Sequence, residues 1–198
     1  PRAPQPALVD INLTIPVGSS VGLVGSTGAG KTTLVDVILG LLRPTEGAIT
    51  VDGEPVTDDN LRAWQAALGY VPQDIFLTDA TVTENIAFGV DPQAIDAEQV
   101  ERCARMAQVH DFVINEMPQG YDTIVGERGV RLSGGQRQRI GIARALYHDP
   151  DILVFDEATS ALDTVTELAV MEAIDTLNHQ KTSVLIAHRL STVVGCDQ

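Results

Sequence analysis

Basic residues, cysteines and aromatic side chains are scarce in this sequence, and it has no long apolar run. It carries 13 lysine and arginine residues against 27 aspartate and glutamate residues, a formal net charge of −14. This balance speaks against DNA or RNA as the main partner, because binding to nucleic acid needs clustered positive charge. The two cysteines, Cys103 and Cys196, lie far apart and form no CxxC pair. We therefore interpret them as reduced structural thiols.

The longest apolar run is Leu34–Leu42, and Asp36 interrupts it. It is much shorter than the roughly 18 residues that a membrane-spanning helix needs. We recognise no signal peptide, and because the chain begins with Pro1 we expect an excised domain trimmed at both ends. Its 198 residues, 44% of them hydrophobic and 20% charged, have an ordinary globular composition and suffice for one domain, with or without a small subdomain.

Strand-like and helix-like segments alternate along the chain. Alternating apolar residues predict a strand at Ala7–Ile15, and a short buried strand, SVGLVG, precedes a helix from about Lys31 to Leu42. The block from Asp79 to Asp122 is helical in pieces. Further strands are predicted at GAITVDG, LGYVPQ, DILVFD and SVLIAH, and further helices at 133–148 and 164–178. This order indicates an α/β fold, with a mostly parallel sheet and helices on both of its faces.

A glycine-rich loop follows the strand SVGLVG. Its sequence, GSTGAGKTT, fits the pattern GxxxxGK[ST]. Glycines let such a loop wrap until successive N–H groups point at phosphate oxygens, while the lysine reaches the β- and γ-phosphates and the next hydroxyl can ligate Mg²⁺. We therefore predict nucleotide contacts from Gly25, Ser26, Thr27, Gly28, Ala29, Gly30, Lys31, Thr32 and Thr33, with Thr32 also on the metal.

Two carboxylates end the apolar strand DILVFD. In a parallel sheet, the carboxyl ends of the strands line the crevice where ligands bind. Asp156 is the candidate for holding Mg²⁺, and Glu157, which faces another way, for orienting or deprotonating an attacking water. Two solvated carboxylates at a strand end are the plainer interpretation, and the phosphate loop makes it the weaker one.

A serine and two glycines, Ser133–Gly135, open the predicted helix that runs to His148. Glycine at a helix start lets an anion approach the backbone N–H groups. This second cradle has neither a lysine nor a metal ligand, so it suits a γ-phosphate that another loop already holds. A helix cap would need only the serine.

Together these residues resemble the nucleotide-binding domains of ABC transporters. LSGGQ (Leu132–Gln136) is similar to the signature motif of that family, Gln73 in GYVPQD to its Q-loop glutamine, Asp163 in SALD to its D-loop and His188 in IAHRLS to its switch histidine. The resemblance covers almost the whole chain, with the motifs in the same order.

The resemblance implies an α/β fold of the P-loop NTPase, ABC ATPase type. Its parts are a mostly parallel central sheet, an antiparallel N-terminal β part and a helical subdomain. Residues 1–78 and 148–198 would form the RecA-like ATP-binding core, and residues 79–147 the helical subdomain with the signature. The implied cofactors are ATP and Mg²⁺.

The resemblance also implies a role for each motif. Glu157 would be the catalytic base, and His188 would bond the γ-phosphate and position the water of Glu157. Gln73 would sense Mg²⁺ or the attacking water and relay the nucleotide state to a membrane partner. Asp163 would couple two sites across a dimer. Together with Asp163, the signature residues that would contact the nucleotide are Ser133, Gly134, Gly135 and Gln136.

Two stretches, TVTENIAFG and YDTIVGERGVRLSGGQ, are similar to exporter-type domains. In those proteins the VGERG loop lies against the intracellular ends of the transmembrane helices, so Glu127 and Arg128 are candidate couplers; a solvated charge pair explains them equally well. The implied partners are a transmembrane domain, expected in the same polypeptide, and a second nucleotide-binding domain, with no nucleic acid. The implied location is the cytoplasmic face of the cell (inner) membrane.

The sequence departs from the family upstream of the phosphate loop. The family stacks adenine on an aromatic residue there, but the first aromatic residue of this chain is Trp64. Either that residue precedes Pro1, or apolar contacts near Val9 or Ile11 substitute for it. The remaining histidines, His110, His148 and His179, have no ligand spacing, and we interpret them as structural or exposed.

Other classes of function fit less well. ABC-type ATPases that act on DNA place a long coiled coil between the phosphate loop and the signature, whereas this interval holds only a short helical block without sustained heptads. Those that act on ribosomes carry two such domains, and this chain has one. P-loop kinases and GTPases lack LSGGQ, and no NKxD motif for guanine is present. An importer ATPase gives no reason for VGERG.

Overall fold

The computed structural model describes residues 6–126, 132–158, 170–172, 174, 181–187 and 193–198. Its strands are β1 (Ser20–Val24), β2 (Thr50–Val51), β3 (Glu54–Pro55), β4 (Leu68–Val71), β5 (Ile152–Asp156) and β6 (Thr182–Ala187). Four of them form one parallel sheet in the order β1-β6-β5-β4, and β2 pairs with β3 in a small antiparallel hairpin. The predicted parallel α/β sheet is confirmed.

The helices named in the described residues are α1 (Lys31–Ile38), α2 (Leu61–Ala66), α3 (Val82–Ile86), α4 (Ala97–Met106), α5 (His110–Glu116) and α6 (Gly134–Leu146). Two short 3₁₀ turns, Pro92–Ala94 and Gly120–Asp122, flank α4 and α5. Of the helix predicted at 164–178, residues 170–172 and 174 are described and helical. Among the described helices, none combines the length and the apolar content needed to cross a bilayer.

Helices cover both faces of the parallel sheet. On one face, Val154, Val184 and Ile186 pack with residues of α1. On the other face, Leu153, Phe155 and Leu185 pack in the larger core that includes buried residues of α3, α4, α5 and α6. Because successive residues of a strand point to opposite faces, burial on both sides explains why β5 and β6 are continuous apolar runs.

The block predicted to be helical in pieces forms α3, α4 and α5. A capping box starts α3, where Thr81 and Glu84 bond each other's backbone N–H groups, and the side chain of Asp96 caps α4. In α4, Cys103 points into the core, and burial raises the pKa of its thiol to about 11. This agrees with its interpretation as a structural residue.

Two predicted elements differ from the structure. The segment Ala7–Ile15 forms no strand, because none of the described strands pairs with it and side chains such as Val9 are exposed. Helix α1 ends at Ile38 and not at Leu42. Gly40 follows its C-terminal cap with φ of 68°, and the N–H groups of Leu41 and Leu42 both bond to the carbonyl of Asp36. A left-handed glycine just after a helix is a common way to end it.

Candidate nucleotide site

Three of the predicted motifs lie at the carboxyl end of the parallel sheet: the glycine loop, the carboxylates Asp156 and Glu157, and Gln73. The register places Val24 beside Ala187, Ile186 beside Asp156, and Phe155 beside Val71. The strands therefore end at one level. The glycine loop leaves β1 there, the two carboxylates end β5, and Gln73 follows β4 two residues on. Such an edge is where open parallel sheets bind their ligands.

The glycine loop joins β1 directly to α1. Gly30 is the N-cap of α1, with φ of 90°, and Gly28 has φ of 84°. A Cβ on Gly28 would meet no atom within 4 Å, whereas one on Gly30 would lie 2.9 Å from the carbonyl oxygen of Ala7. Gly28 is therefore required for its backbone conformation, and Gly30 for conformation and close approach as well.

Lys31 lies folded against the loop that precedes it. Its Nζ donates to the carbonyl oxygens of Gly25 (2.7 Å) and Ser26 (3.2 Å). The positive charge is thus held beside the first turn of α1, where unpaired N–H groups already favour an anion. The contacts of this loop and of Lys31 with phosphate stay predictions.

Asp156 is almost fully buried at the end of β5, with 8% of its surface exposed. Its Oδ2 accepts a hydrogen bond from the hydroxyl of Tyr70 (3.3 Å). Burial raises the pKa of its carboxyl, and the charges of Glu157 and Asp36 act in the same direction, while the Tyr70 hydrogen bond and Lys31 oppose the shift. A buried carboxylate among acidic neighbours favours a cation nearby.

Glu157 leaves the strand in an unusual conformation. Its φ is 50°, in the left-handed region that side chains other than glycine rarely adopt, and its N–H donates to the carbonyl of Ile186 on β6 (3.0 Å). The backbone therefore turns immediately after Asp156 while remaining tied to the sheet. The different direction predicted for the Glu157 carboxylate stays a prediction.

The signature stretch starts α6 with a capping box. The Oγ of Ser133 accepts from the N–H of Gln136 (3.2 Å), and the Oε1 of Gln136 accepts from the N–H of Ser133 (2.8 Å). The hydroxyl hydrogen of Ser133 is not used by the cap, and the N–H groups of Gly134 and Gly135 have no carbonyl partner within the helix. Ser133 can therefore cap α6 and still donate to an anion.

In the described part of the chain, the phosphate loop and the signature helix lie near different outer strands of the sheet. The loop follows β1, one outer strand, whereas α6 packs against β4, the other outer strand, and against α3 and α4. With neighbouring strands about 4.8 Å apart, β1 and β4 are roughly 14 Å from each other. The two cradles are thus built on opposite edges.

Several predicted residues lie outside the described part of the chain, namely Glu127, Arg128, Asp163, His179 and His188. Their predicted roles stay predictions. Of the other histidines, Nδ1 of His110 is 2.8 Å from the hydroxyl of Tyr121, and His148 is exposed beside the ring of Tyr147. Both agree with a structural or exposed role.

Trp64, the first aromatic residue of the chain, donates from Nε1 to the carbonyl of Ile38 at the end of α1.

Sequence reasoning missed two features of the site. The contact between Tyr70 and Asp156 joins residues 86 positions apart, and no local pattern predicts it. The pairing of Ser133 with Gln136 was predictable, because S-x-x-Q before a helix is the capping-box pattern. Gln136 was interpreted only as a nucleotide contact, and the structure gives it this structural task.

A family model described as "ABC transporter" matches residues 8–160. The chain belongs to the ABC transporter family. This confirms the resemblance drawn from the motifs and the predicted fold, and it identifies the chain as an ATP-binding and ATP-hydrolysing ABC domain.

Curated relatives agree with this assignment. The ABC domain is 48% identical over 193 residues to a Staphylococcus aureus protein whose name describes a multidrug export ATP-binding/permease protein. The match covers 98% of this chain and 33% of that protein. It is 44% identical over 188 residues to an uncharacterised ABC transporter ATP-binding protein of Sinorhizobium fredii, covering 95% of the chain and 32% of the relative. The chain therefore spans about a third of the length of these relatives.

A solved structure has the same fold. A bacterial Atm1-family ABC exporter with ATP bound matches the ABC domain with a TM-score of 0.81 and 44% identity, covering 91% of this chain and 31% of the exporter chain. The donors available on the carboxyl edge of the sheet suit both cofactors, since phosphate needs N–H groups and a lysine, and Mg²⁺ prefers hydroxyl and carboxylate oxygens.

Proposed function

We propose that this ABC domain works as one half of an ATP-driven dimer that powers an exporter. ATP would bind on Gly25–Thr33 of one domain, and Ser133–Gln136 of the second domain would close over its γ-phosphate. The observation that supports this is the position of the two cradles, which start from opposite edges of one sheet. A head-to-tail pair would bring the complementary halves together twice.

Each group on the carboxyl edge has a task that its chemistry suits. Thr32 and Asp156 would hold Mg²⁺, which supplies charge neutralisation for the phosphates, and the amide oxygen of Gln73 is a further candidate ligand. Lys31 would bond the β- and γ-phosphates. Glu157 would accept the proton of the attacking water, with His188 holding that water in place.

Adenine would contact the segment that precedes β1. The backbone of Ala7 and the side chain of Leu8 lie against Gly30, within about 3 Å of where a Cβ would stand there. Farther along, Val9 and Ile11 expose 65% and 52% of their surface. This segment therefore offers apolar side chains close to the phosphate loop in place of an aromatic ring.

The remainder of the protein would supply the membrane path. The S. aureus relative is named an ATP-binding/permease protein and is about three times as long as this chain. By analogy, the same polypeptide would carry the transmembrane domain, and the ABC domain would lie at the cytoplasmic face of the cell (inner) membrane. Glu127 and Arg128 remain the proposed couplers, and residues 79–147 the proposed helical subdomain, with 1–78 and 148–198 as the core.

Replacing Glu157 by Gln tests this function. The change removes the base but keeps size and position, so ATP binding should stay intact while turnover falls by roughly 10²- to 10⁴-fold. ATP should then hold the variant as a dimer in size-exclusion chromatography, because the bound nucleotide is not consumed.

Asp149→Asn is a matched control. Asp149 precedes β5 at the other end of the strand, has φ of 50° as Glu157 does, and pairs with Lys181. Its neutralisation should leave turnover unchanged. Normal hydrolysis by Glu157→Gln would refute the role of Glu157 as the general base. A variant that stays monomeric with ATP would refute the proposal that two domains share each ATP site.

A further inference from the structure

Arg144 is a largely buried cation near the C-terminal end of α6. It donates from Nε to the backbone carbonyl of Asn85 (2.7 Å), from Nη2 to the side-chain Oδ1 of Asn85 (3.0 Å) and from Nη1 to the carbonyl of Phe76 (2.7 Å). Its guanidinium carbon lies 4.8 Å from the centre of the Phe88 ring. In the described part of the chain, its hydrogen-bond acceptors are amide oxygens without a carboxylate among them. A planar fork of donors holds such acceptors in a set geometry.

Asn85 extends this network to the segment that follows Gln73. Its side chain is fully buried in α3. Its Oδ1 accepts from the N–H of Thr78 (2.9 Å), and its Nδ2 donates to the carbonyls of Thr78 (3.1 Å) and Thr81 (3.0 Å). One amide therefore ties residues 78–81 to α3 and also meets Arg144. A buried network with all its members paired is rigid, because losing any bond leaves a polar group unsatisfied.

Two more positions of α6 contact the residues on either side of Gln73. Gln138 donates from Nε2 to the carbonyl of Pro72 in a long contact of 3.5 Å. A Cβ on Gly141 would lie 2.4 Å from Cδ1 of Ile75, so the helix backbone touches that side chain directly. Gln138, Gly141 and Arg144 are spaced by three residues and lie on one side of the helix. They meet Pro72, Ile75 and Phe76 in the same order.

We propose that this face of α6, formed by Gln138, Gly141 and Arg144, positions the Gln73 segment, residues 72–78, relative to the signature. The residues are positioning residues, because they act through Gln73 and through the helix that begins after Ser133. Arg144 lies eleven positions after Ser133 along the helix, a stiff span of about 16 Å. A displacement of Gln73 in one site would thus move the Ser133 that serves the partner's site. This inference rests on the roles proposed above for Gln73 and Ser133.

A double-mutant cycle in the full-length transporter tests the coupling. Arg144→Lys keeps the charge but cannot reach Phe76 and Asn85 together. We expect an unchanged Kd for a fluorescent ATP analogue and a kcat lowered about tenfold, within the range of couplings carried by such networks. In a Gln73→Ala background the same change should have little further effect on kcat, since residues that act as one unit are not additive.

Tyr147→Phe is the matched control at the same end of α6. The Tyr147 hydroxyl accepts from the N–H of Asp96 (3.0 Å), so the change loosens the contact between α6 and α4 without touching residues 72–78. Its effect on kcat should be the same in both backgrounds.

The outcomes separate this inference from the proposed function. If Gln73→Ala leaves kcat unchanged, the role of Gln73 is wrong and the inference falls with it. If Gln73→Ala lowers kcat and Arg144→Lys lowers it by the same factor in both backgrounds, only the coupling is overturned.

A second pair of variants covers the case in which Arg144→Lys does not fold. Gly141→Ala should push Ile75 aside and lower kcat, and adding Ile75→Ala should restore it by removing the atoms that collide. Thermal melting checks that the single and the double variant are folded. If both are folded and the double variant has the same lowered kcat as Gly141→Ala alone, the inference is overturned.

Discussion

Replacing Ser133 by Asp separates the two tasks that the structure gives this side chain. The Oγ of Ser133 caps α6 by accepting from the N–H of Gln136, and we propose that its hydroxyl also donates to the γ-phosphate of the partner's ATP. Aspartate caps a helix as well as serine does, and its charge suits a helix N-terminus. It cannot donate a hydrogen bond to a phosphate, however, and its charge repels one.

The magnitudes differ enough to be told apart. Ser133→Ala loses the cap and should cost about 1 kcal/mol of unfolding free energy, which lowers the Tm of a domain of this size by roughly 2–4 °C. The reciprocal bond from the N–H of Ser133 to Gln136 uses a backbone donor and survives in both variants. Ser133→Asp should therefore keep the wild-type Tm.

Turnover should fall in both variants, and further in Ser133→Asp. Losing one hydrogen bond to a charged group costs about 1.5–3 kcal/mol, a loss of roughly 10- to 100-fold for Ser133→Ala. A carboxylate about 4 Å from a phosphate oxygen adds a repulsion of up to about 4 kcal/mol near a protein surface. The Asp variant should therefore hydrolyse ATP at least 100-fold more slowly than the wild type.

Thermal denaturation followed by circular dichroism and steady-state ATP hydrolysis measure the two effects. Ser133→Thr retains a hydroxyl and should keep both properties. If Ser133→Asp melts at as low a temperature as Ser133→Ala, the side chain at this position does not stabilise the start of α6. If Ser133→Asp has normal turnover, Ser133 does not contact the phosphate.

Two further predictions concern the metal ligand and the rest of the protein. Burial raises the pKa of the Asp156 carboxyl above its ordinary value, so ionisation of this carboxyl lowers the stability of the fold as pH rises. Without Mg²⁺ and nucleotide, Asp156→Asn should therefore be more stable than the wild type at pH 7. The difference should disappear below pH of about 4, where the carboxyl is protonated in both the folded and the unfolded chain. Equal denaturation midpoints at pH 7 would contradict this. In the parent gene, the codons before Pro1 should encode about six apolar segments of about 20 residues each; a coiled coil or a second LSGGQ there would contradict the exporter.

Local sequence predicts the sheet and the phosphate loop well, because their causes are local. An apolar run such as Leu153–Phe155 is buried whichever helices cover it, and a glycine with positive φ is needed wherever a loop curls around phosphate. The capping residues that start α3 and α4 also act within a single turn.

Elements that depend on a distant partner were predicted poorly. The alternation in Ala7–Ile15 is typical of a strand, but a strand needs a neighbour to accept its hydrogen bonds, and none of those described supplies one. The end of α1 is another case. The apolar stripe continues to Leu42, but the left-handed turn at Gly40 ends the helix where Leu61 of α2 lies so close that a Cβ on Gly40 would be 2.4 Å from its Cδ1.

From the sequence alone, the glycine loop and the carboxylates after DILVFD indicated a nucleotide site, because phosphate chemistry requires those residue types at those intervals. The order of all the motifs gave the resemblance to the ABC family, which the family model confirms. Only the tertiary structure decided how the motifs stand relative to one another. It put Tyr70 on Asp156, the phosphate loop and the signature at opposite edges of the sheet, and Arg144 between the Gln73 segment and α3. These relations join residues many positions apart, and they depend on strand order and helix packing, which no single stretch of sequence encodes.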